Sequence, residues 1–153
     1  MSQEQDFYSI VEEAFAKIMQ EFGFKVSKRE STINNNLIVL SNGRTDIYVW
    51  DYFREMTPWV EILKTSLQGR YGRYSSYAFQ LPNIVEFKTK GEKEIKEYME
   101  YADEKGSQCS DEKYIKLLAE YTYTYAKDFL SGDFTTLKDI DKYLRKKDKD
   151  SSN

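Results

Sequence analysis

The sequence contains no histidine, which limits the chemistry that its other residues can perform. Histidine is the commonest general base in enzymes, so Ser-His-Asp and Cys-His catalytic arrangements and histidine-containing metal sites are excluded. Carboxylates remain: Asp51 and Glu61 fall in neighbouring predicted strands that a short connection would bring close together. Because such carboxylates commonly pair with a basic side chain or with water, we favour that role and predict no catalytic residue. A metal-free enzyme using this pair is the third of our functional hypotheses.

The single cysteine, Cys109, excludes an intrachain disulfide and a zinc site built from thiolates. It precedes a predicted helix, a position that can activate a thiol, but the nearby acids oppose activation and we expect it to be inert. We therefore predict no metal and no cofactor. A lone cysteine fits a reducing compartment, and the N-terminus has acids where a signal peptide has its basic region. No stretch approaches the roughly 20 apolar residues of a membrane span, so we expect a cytoplasmic protein with no membrane partner.

A segment rich in arginine and tyrosine is the main candidate for binding. The sequence GRYGRYSSY covers residues 69–77 and repeats Gly-Arg-Tyr. Arginine and tyrosine often dominate binding energy, and arginine also grips phosphate and stacks on rings. We predict a partner-binding surface formed by the following residues: Arg70, Tyr71, Arg73, Tyr74 and Tyr77.

Three uses of this segment remain open. It could bind an acidic protein surface, bind RNA, or serve only its own packing. The net charge of −3 would repel a long polyanion, which favours a protein partner over nucleic acid. An RNA or nucleoprotein accessory that binds through the loop 66–78 is therefore the alternative to a protein-binding function.

The periodicity of the first half predicts one helix followed by four strands. Apolar residues recur at helical spacing over about residues 5–22, and Gly23 is placed to end that helix. The period then changes to two around Phe24, and further strands are predicted at 37–40, 45–53 and 59–63. In the third of these, Tyr48, Trp50 and Tyr52 share one face, and we expect both faces to be partly covered. Asn42-Gly43 predicts a type I′ turn between the second and third strands, with positive φ at both residues.

The second half is predicted to be a loop followed by helices. Residues 66–83 contain two glycines and a proline without a sustained period, which indicates a long loop. Helices are predicted at 93–105, from Ser110 to Gly132 through an alternating Tyr-Thr run, and from Thr135 or Thr136 through Leu144. The predicted fold is a single α+β domain over residues 1–146, with an antiparallel four-stranded meander and helices packed on one face. Residues 147–153 are predicted to form a disordered tail.

Two segments carry a family resemblance. FAKIMQEFGFKVSKRESTINNNLIVLSNGRTDIYVWDYFREMTPWVEILK at residues 15–64 and YAKDFLSGDFTTLKDIDKYLRK at residues 125–146 resemble small bacterial proteins of unknown function. Some of those proteins are similar to immunity proteins, which neutralise a toxin. The resemblance implies the predicted fold and, for the members similar to immunity proteins, a non-enzymatic role in binding another protein. Within the second segment, we expect Gly132-Asp133-Phe134 to provide a helix C-cap and a packing contact.

Overall fold

The computed structural model describes residues 3–52, 58–67, 76–90 and 111–151. The described chain begins with two helices and four strands: α1 (Gln3–Ala14), α2 (Ala16–Phe22), β1 (Lys25–Ser31), β2 (Asn35–Ser41), β3 (Thr45–Tyr52) and β4 (Trp59–Lys64). Short 3₁₀ turns follow at Thr65–Leu67 and Ser76–Phe79. The remaining helices are α3 (Leu81–Lys88), α4 (Asp111–Tyr125), α5 (Lys127–Leu130) and α6 (Leu137–Ser151). The predicted α+β class is confirmed, whereas the predicted helix at 93–105 and Cys109 lie outside the described residues.

The strands form one antiparallel sheet in the order β1-β2-β3-β4, which is the predicted meander. Because side chains alternate along a strand, the cross-strand register divides them between two faces. The core face carries a block of aliphatic residues from three strands: Ile38, Leu40, Ile47, Val49, Val60 and Ile62. Helices cover this face and form one cluster with it, to which they contribute Phe7, Val11, Phe15, Ile18, Leu81, Ile84, Ile115, Leu118, Phe129 and Ile140, among others.

The predicted N-terminal helix is two helices with one residue between them. Phe15 separates α1 from α2 with φ −95° and ψ 8°, although Phe15 N–H still bonds to the carbonyl of Val11. The Phe15 side chain is fully buried. Gly23 ends α2 with φ 73°, and the N–H groups of Gly23 and Phe24 both bond to the Met19 carbonyl. This is the left-handed C-cap that the sequence predicted.

The turn between β2 and β3 is in the predicted place, but its type differs from the prediction. Among the described non-glycine residues only Lys90 has positive φ, so Asn42 does not, and a type I′ turn is excluded. Gly43 alone supplies positive φ, at 87°. The Asn42 Oδ1 atom accepts the N–H groups of Arg44 at 3.0 Å and Thr45 at 2.9 Å. An asparagine side chain thus closes the turn in place of a second positive φ.

Part of the predicted loop is helical. Residues 81–88 form α3, with Pro82 in its first turn, where proline loses no intrahelical hydrogen bond. The helix packs into the core through three buried side chains, Leu81, Ile84 and Val85. Pro82 and these apolar residues are visible in the sequence, but a helix of 8 residues is too short to show a clear helical periodicity. The loop prediction, which covered residues 66–83, was therefore wrong for residues 81–83, and no element was predicted for residues 84–88.

The C-terminal helices follow the predicted pattern with two differences. The Tyr-Thr run is helical, as predicted, but the helix is interrupted at Ala126 between α4 and α5. Helix α6 continues to Ser151 and so includes residues 147–151, which the sequence assigned to a tail.

The segment Gly132-Asp133-Phe134 has the structural role expected of it. Gly132 has φ 89° after α5, and the ring of Phe134 stacks on Phe129 with centroids 4.7 Å apart. The Arg44 side chain lies over Gly132, where an added Cβ would be 3.1 Å from Arg44 Cδ. The expected C-cap and packing contact are both present.

Candidate functional site

The face of the sheet opposite the core, which we call the outer face, carries aromatic and charged side chains in two cross-strand rows. The first row is Lys28, Val39, Tyr48 and Glu61, and the second is Glu30, Leu37, Trp50 and Trp59. Leu37 and Val39 are buried at 4% exposure but do not belong to the core cluster. The outer face therefore has an apolar centre of its own.

A bulge in β1 places two of the three charged residues of these rows. Val26 pairs with Leu40 and Lys28 pairs with Val39, so one extra residue stands between them on β1. A β-bulge of this kind shifts the following side chains to the other face. Lys28 and Glu30 consequently lie on the outer face, where the Lys28 Nζ atom is 2.7 Å from a Glu30 carboxylate oxygen. The residue between them, Arg29, reaches Glu12 of α1 instead.

Four side chains at the β3–β4 end of the rows form a square that we call the quartet: Tyr48, Trp50, Trp59 and Glu61. Tyr48 is directly opposite Glu61, and Trp50 is directly opposite Trp59. The rings of Tyr48 and Trp50 have centroids 6.3 Å apart and are tilted by 34°. All four side chains are half-buried. The quartet thus presents three aromatic rings and one carboxylate on a rigid pair of strands.

The environment of Glu61 disfavours its charged form. Burial raises the pKa of the Glu61 carboxyl above its usual value, and the indole N–H of Trp50, close to the carboxylate, acts in the opposite direction. The backbone of Glu61 also forms an isolated bridge to Gln80, just before α3. Glu61 is therefore held from both sides, by β3 and by the segment that enters α3.

The carboxylate pair on which the third functional hypothesis depends does not form. Asp51 pairs with Asn36 and lies on the core face, whereas Glu61 pairs with Tyr48 and lies on the outer face. Side chains alternate along β3, so Asp51 shares a face with Val49, whereas Glu61 shares the face of its cross-strand partner Tyr48. The two carboxylates are therefore on opposite faces of the sheet. The sequence placed both residues in the right strands but could not fix the register between those strands.

The predicted Arg/Tyr surface is largely outside the described residues. Arg70, Tyr71, Arg73 and Tyr74 all lie outside, and Tyr77 lies in the 3₁₀ turn Ser76–Phe79. The role of this segment stays a prediction. The quartet, in contrast, was missed as a site, although the alternation of Tyr48 with Trp50 and of Trp59 with Glu61 carried a signal for it.

A concave feature lies between α1–α2 and α4. It is a groove of about 1100 Å³ whose lining includes Lys17, Lys113, Glu120 and Tyr123. The Lys17 and Lys127 ammonium groups each lie 4.2 Å from the centroid of the Tyr123 ring. Because lysines and glutamates are interspersed along it, the groove presents no single sign of charge to a ligand.

In residues 3–52, 58–67, 76–90 and 111–151, no group of three or more cysteine, aspartate or glutamate side chains is arranged to hold a metal ion. Over the same residues, no helix has the length and apolar character needed to cross a membrane.

Comparison with known proteins assigns no family to this chain. No protein-family model, no curated protein and no solved structure matches it.

Proposed function

We propose that this chain is a non-enzymatic protein that binds another protein through the outer face of its sheet. The observation that carries the proposal is the quartet, which places two tryptophans and a tyrosine side by side on regular strands. Tryptophan and tyrosine are the residues that most often dominate protein–protein binding energy. Rings that are already half-buried and held by cross-strand neighbours lose little conformational entropy when a partner covers them.

The chemistry of the face supports binding over catalysis. Glu61 has Tyr48 as its cross-strand neighbour, and the Trp50–Trp59 pair is next to it on the same face. Two other acids of the described chain share this face: Glu30 is engaged with Lys28, and Asp46 accepts a hydrogen bond from Thr65. Glu61 with Tyr48 and Trp50 is better suited to recognising a side chain than to moving protons.

The experiment compares capture of proteins from a host extract by the wild type and by Trp59→Ser. We expect the wild type to capture one protein at a fixed molar ratio to itself. Trp59→Ser should no longer capture that protein. Ile33→Ser is the matched control because Ile33 is an apolar side chain that is 90% exposed in the β1–β2 loop. Capture that survives Trp59→Ser would refute a role for this face. Circular dichroism establishes that both variants are folded.

The immunity-type role implied by the resemblance makes a second readout possible. If the captured protein is a toxin, co-expression of the wild type should relieve its toxicity and co-expression of Trp59→Ser should not. Nuclease treatment and a salt series separate the RNA alternative, because nucleic-acid binding weakens steeply with ionic strength. Capture that disappears under both treatments would favour an RNA or nucleoprotein accessory and contradict the proposal.

A further inference from the structure

The charges of the outer face are unequally balanced among the described residues. Lys28 and Glu30 neutralise each other across 2.7 Å. Glu61 forms no ion pair with any lysine or arginine of the described chain. The quartet therefore contains one carboxylate whose charge no described base balances, and this carboxylate stands beside three aromatic rings.

The spacing of the quartet suits a planar cation. Directly opposed residues of an antiparallel pair have Cβ atoms about 4.5 to 5.5 Å apart, and residues two apart on one strand are separated by about 6.5 Å. A guanidinium group that lies over Trp50 or Trp59 is thus within reach of the Glu61 carboxylate. Arginine stacks on aromatic rings and binds a carboxylate with two N–H groups at once, which lysine cannot do.

Desolvation adds to this preference. Burial raises the pKa of Glu61, so an unaccompanied charge at this position is costly. A cation from a partner would remove that cost by pairing with the carboxylate. A phosphate group would instead face the same carboxylate, which argues against nucleic acid as the ligand of this face.

We propose that the quartet is the receptor for an arginine side chain of the protein partner, which stacks on Trp50 and Trp59 and pairs with Glu61. This inference rests on the proposed function and specifies the chemistry of the partner. The partner surface that it requires is basic, in keeping with the net charge of −3 of this chain.

The test uses the fluorescence of the intact protein. Both tryptophans of the sequence, Trp50 and Trp59, belong to the quartet, so the intrinsic tryptophan emission reports on this face alone. The probe is tri-arginine peptide, titrated at constant ionic strength, with tri-citrulline as the neutral analogue of the same shape. We expect a saturable change in emission with tri-arginine and none with tri-citrulline.

Two variants that each remove one negative charge from the outer face provide the matched comparison. Glu61→Gln should weaken tri-arginine binding about tenfold, which is the loss of one charge-assisted contact. Glu30→Gln should leave the affinity within about twofold, because Glu30 already pairs with Lys28. Equal weakening in both variants would mean non-specific attraction and would overturn the proposal, as would the absence of any saturable response.

The remaining outcomes separate this inference from the proposed function. If emission changes with protein concentration in the absence of peptide, a second copy of the chain covers the face and the arginine proposal fails. If a captured partner is lost with Trp59→Ser but retained with Glu61→Gln, the face binds a protein without using an arginine anchor. The proposed function would then stand and this inference would not.

Discussion

Replacement of Asn42 by alanine tests how the sheet is fastened to the helices. The Asn42 Nδ2 atom donates to the carbonyl of Phe22 at 3.0 Å, at the end of α2, and to that of Leu130 at 3.1 Å, at the end of α5. Its Oδ1 atom accepts the N–H groups of Arg44 and Thr45 within the turn. One side chain thus closes a hairpin and caps two helices that are distant in sequence.

The expected cost follows from these four contacts. An intramolecular hydrogen bond contributes about 0.5 to 1.5 kcal/mol net, and a buried group left without its partner costs about 1 to 3 kcal/mol. Asn42 is half-buried, so water can replace part of what is lost. We therefore expect Asn42→Ala to lower the free energy of unfolding by about 2 to 4 kcal/mol. For a domain of this size, that loss corresponds to a Tm lower by roughly 5 to 15 °C.

The assay is urea and thermal unfolding followed by circular dichroism, with two comparison variants. Asn34→Ala removes an exposed asparagine from the β1–β2 loop and should leave stability within about 0.5 kcal/mol. Asn42→Asp keeps an acceptor for the turn but has no amide to donate to the two helix carbonyls, and it should lose most of the stability that the alanine variant loses. An Asn42→Asp variant as stable as the wild type would refute the docking role and leave only the turn.

Three further outcomes are expected. Lys147→Ala should lower the free energy of unfolding by about 2 to 3 kcal/mol, because Lys147 pairs with Oε1 of Glu86, which is 2% exposed and whose Oε2 atom has no hydrogen-bond partner among the described residues. Glu61→Gln should gain stability over the wild type as the pH rises from about 4 to 7. Because the pKa of Glu61 is raised in the folded protein, the folded state holds this proton more tightly than the unfolded state does. Wild-type stability is therefore complete below the usual carboxyl pKa and falls as the pH rises through the pKa of the folded state. Gly132→Ala should cost about 1 to 2 kcal/mol, since its φ is 89° and a Cβ would press on a neighbouring arginine side chain.

Each of these outcomes has a control on the same chain. Lys146→Ala changes an exposed lysine next to Lys147, and equal losses in both variants would remove the pairing argument. Glu30→Gln removes the carboxylate that pairs with Lys28, and parallel curves of stability against pH for both glutamine variants would contradict the assignment to Glu61. Gly23→Ala has a similar φ of 73° but no atom within 4 Å of the added Cβ. A loss in Gly23→Ala that equals or exceeds the loss in Gly132→Ala would show that the arginine contact has no cost.

The elements that depend on neighbouring residues were predictable. The spacing of apolar residues predicted the type of each described helix and strand except α3. Gly23 and Gly132 marked two helix ends, because a residue with positive φ is needed there and glycine adopts that conformation without steric cost. Short connections made the meander antiparallel. The mistakes were also local in origin: α3 was too short for its period to be visible, and the side chain of Asn42 took over a role that the turn prediction gave to backbone φ.

The site depended on relations that no local pattern contains. The sequence by itself determined that Tyr48 and Trp50 share one face of a strand, since alternation is a property of the strand alone. Only the tertiary structure decided that this is the outer face, that Trp59 and Glu61 lie opposite those rings, and that Asp51 lies on the other side of the sheet. A change of register by one residue would reverse each of these assignments. Register is fixed by where the helices pack and where the strands turn, and both depend on contacts between residues far apart in sequence, such as the hydrogen bond from Asn42 to Leu130 across 88 positions.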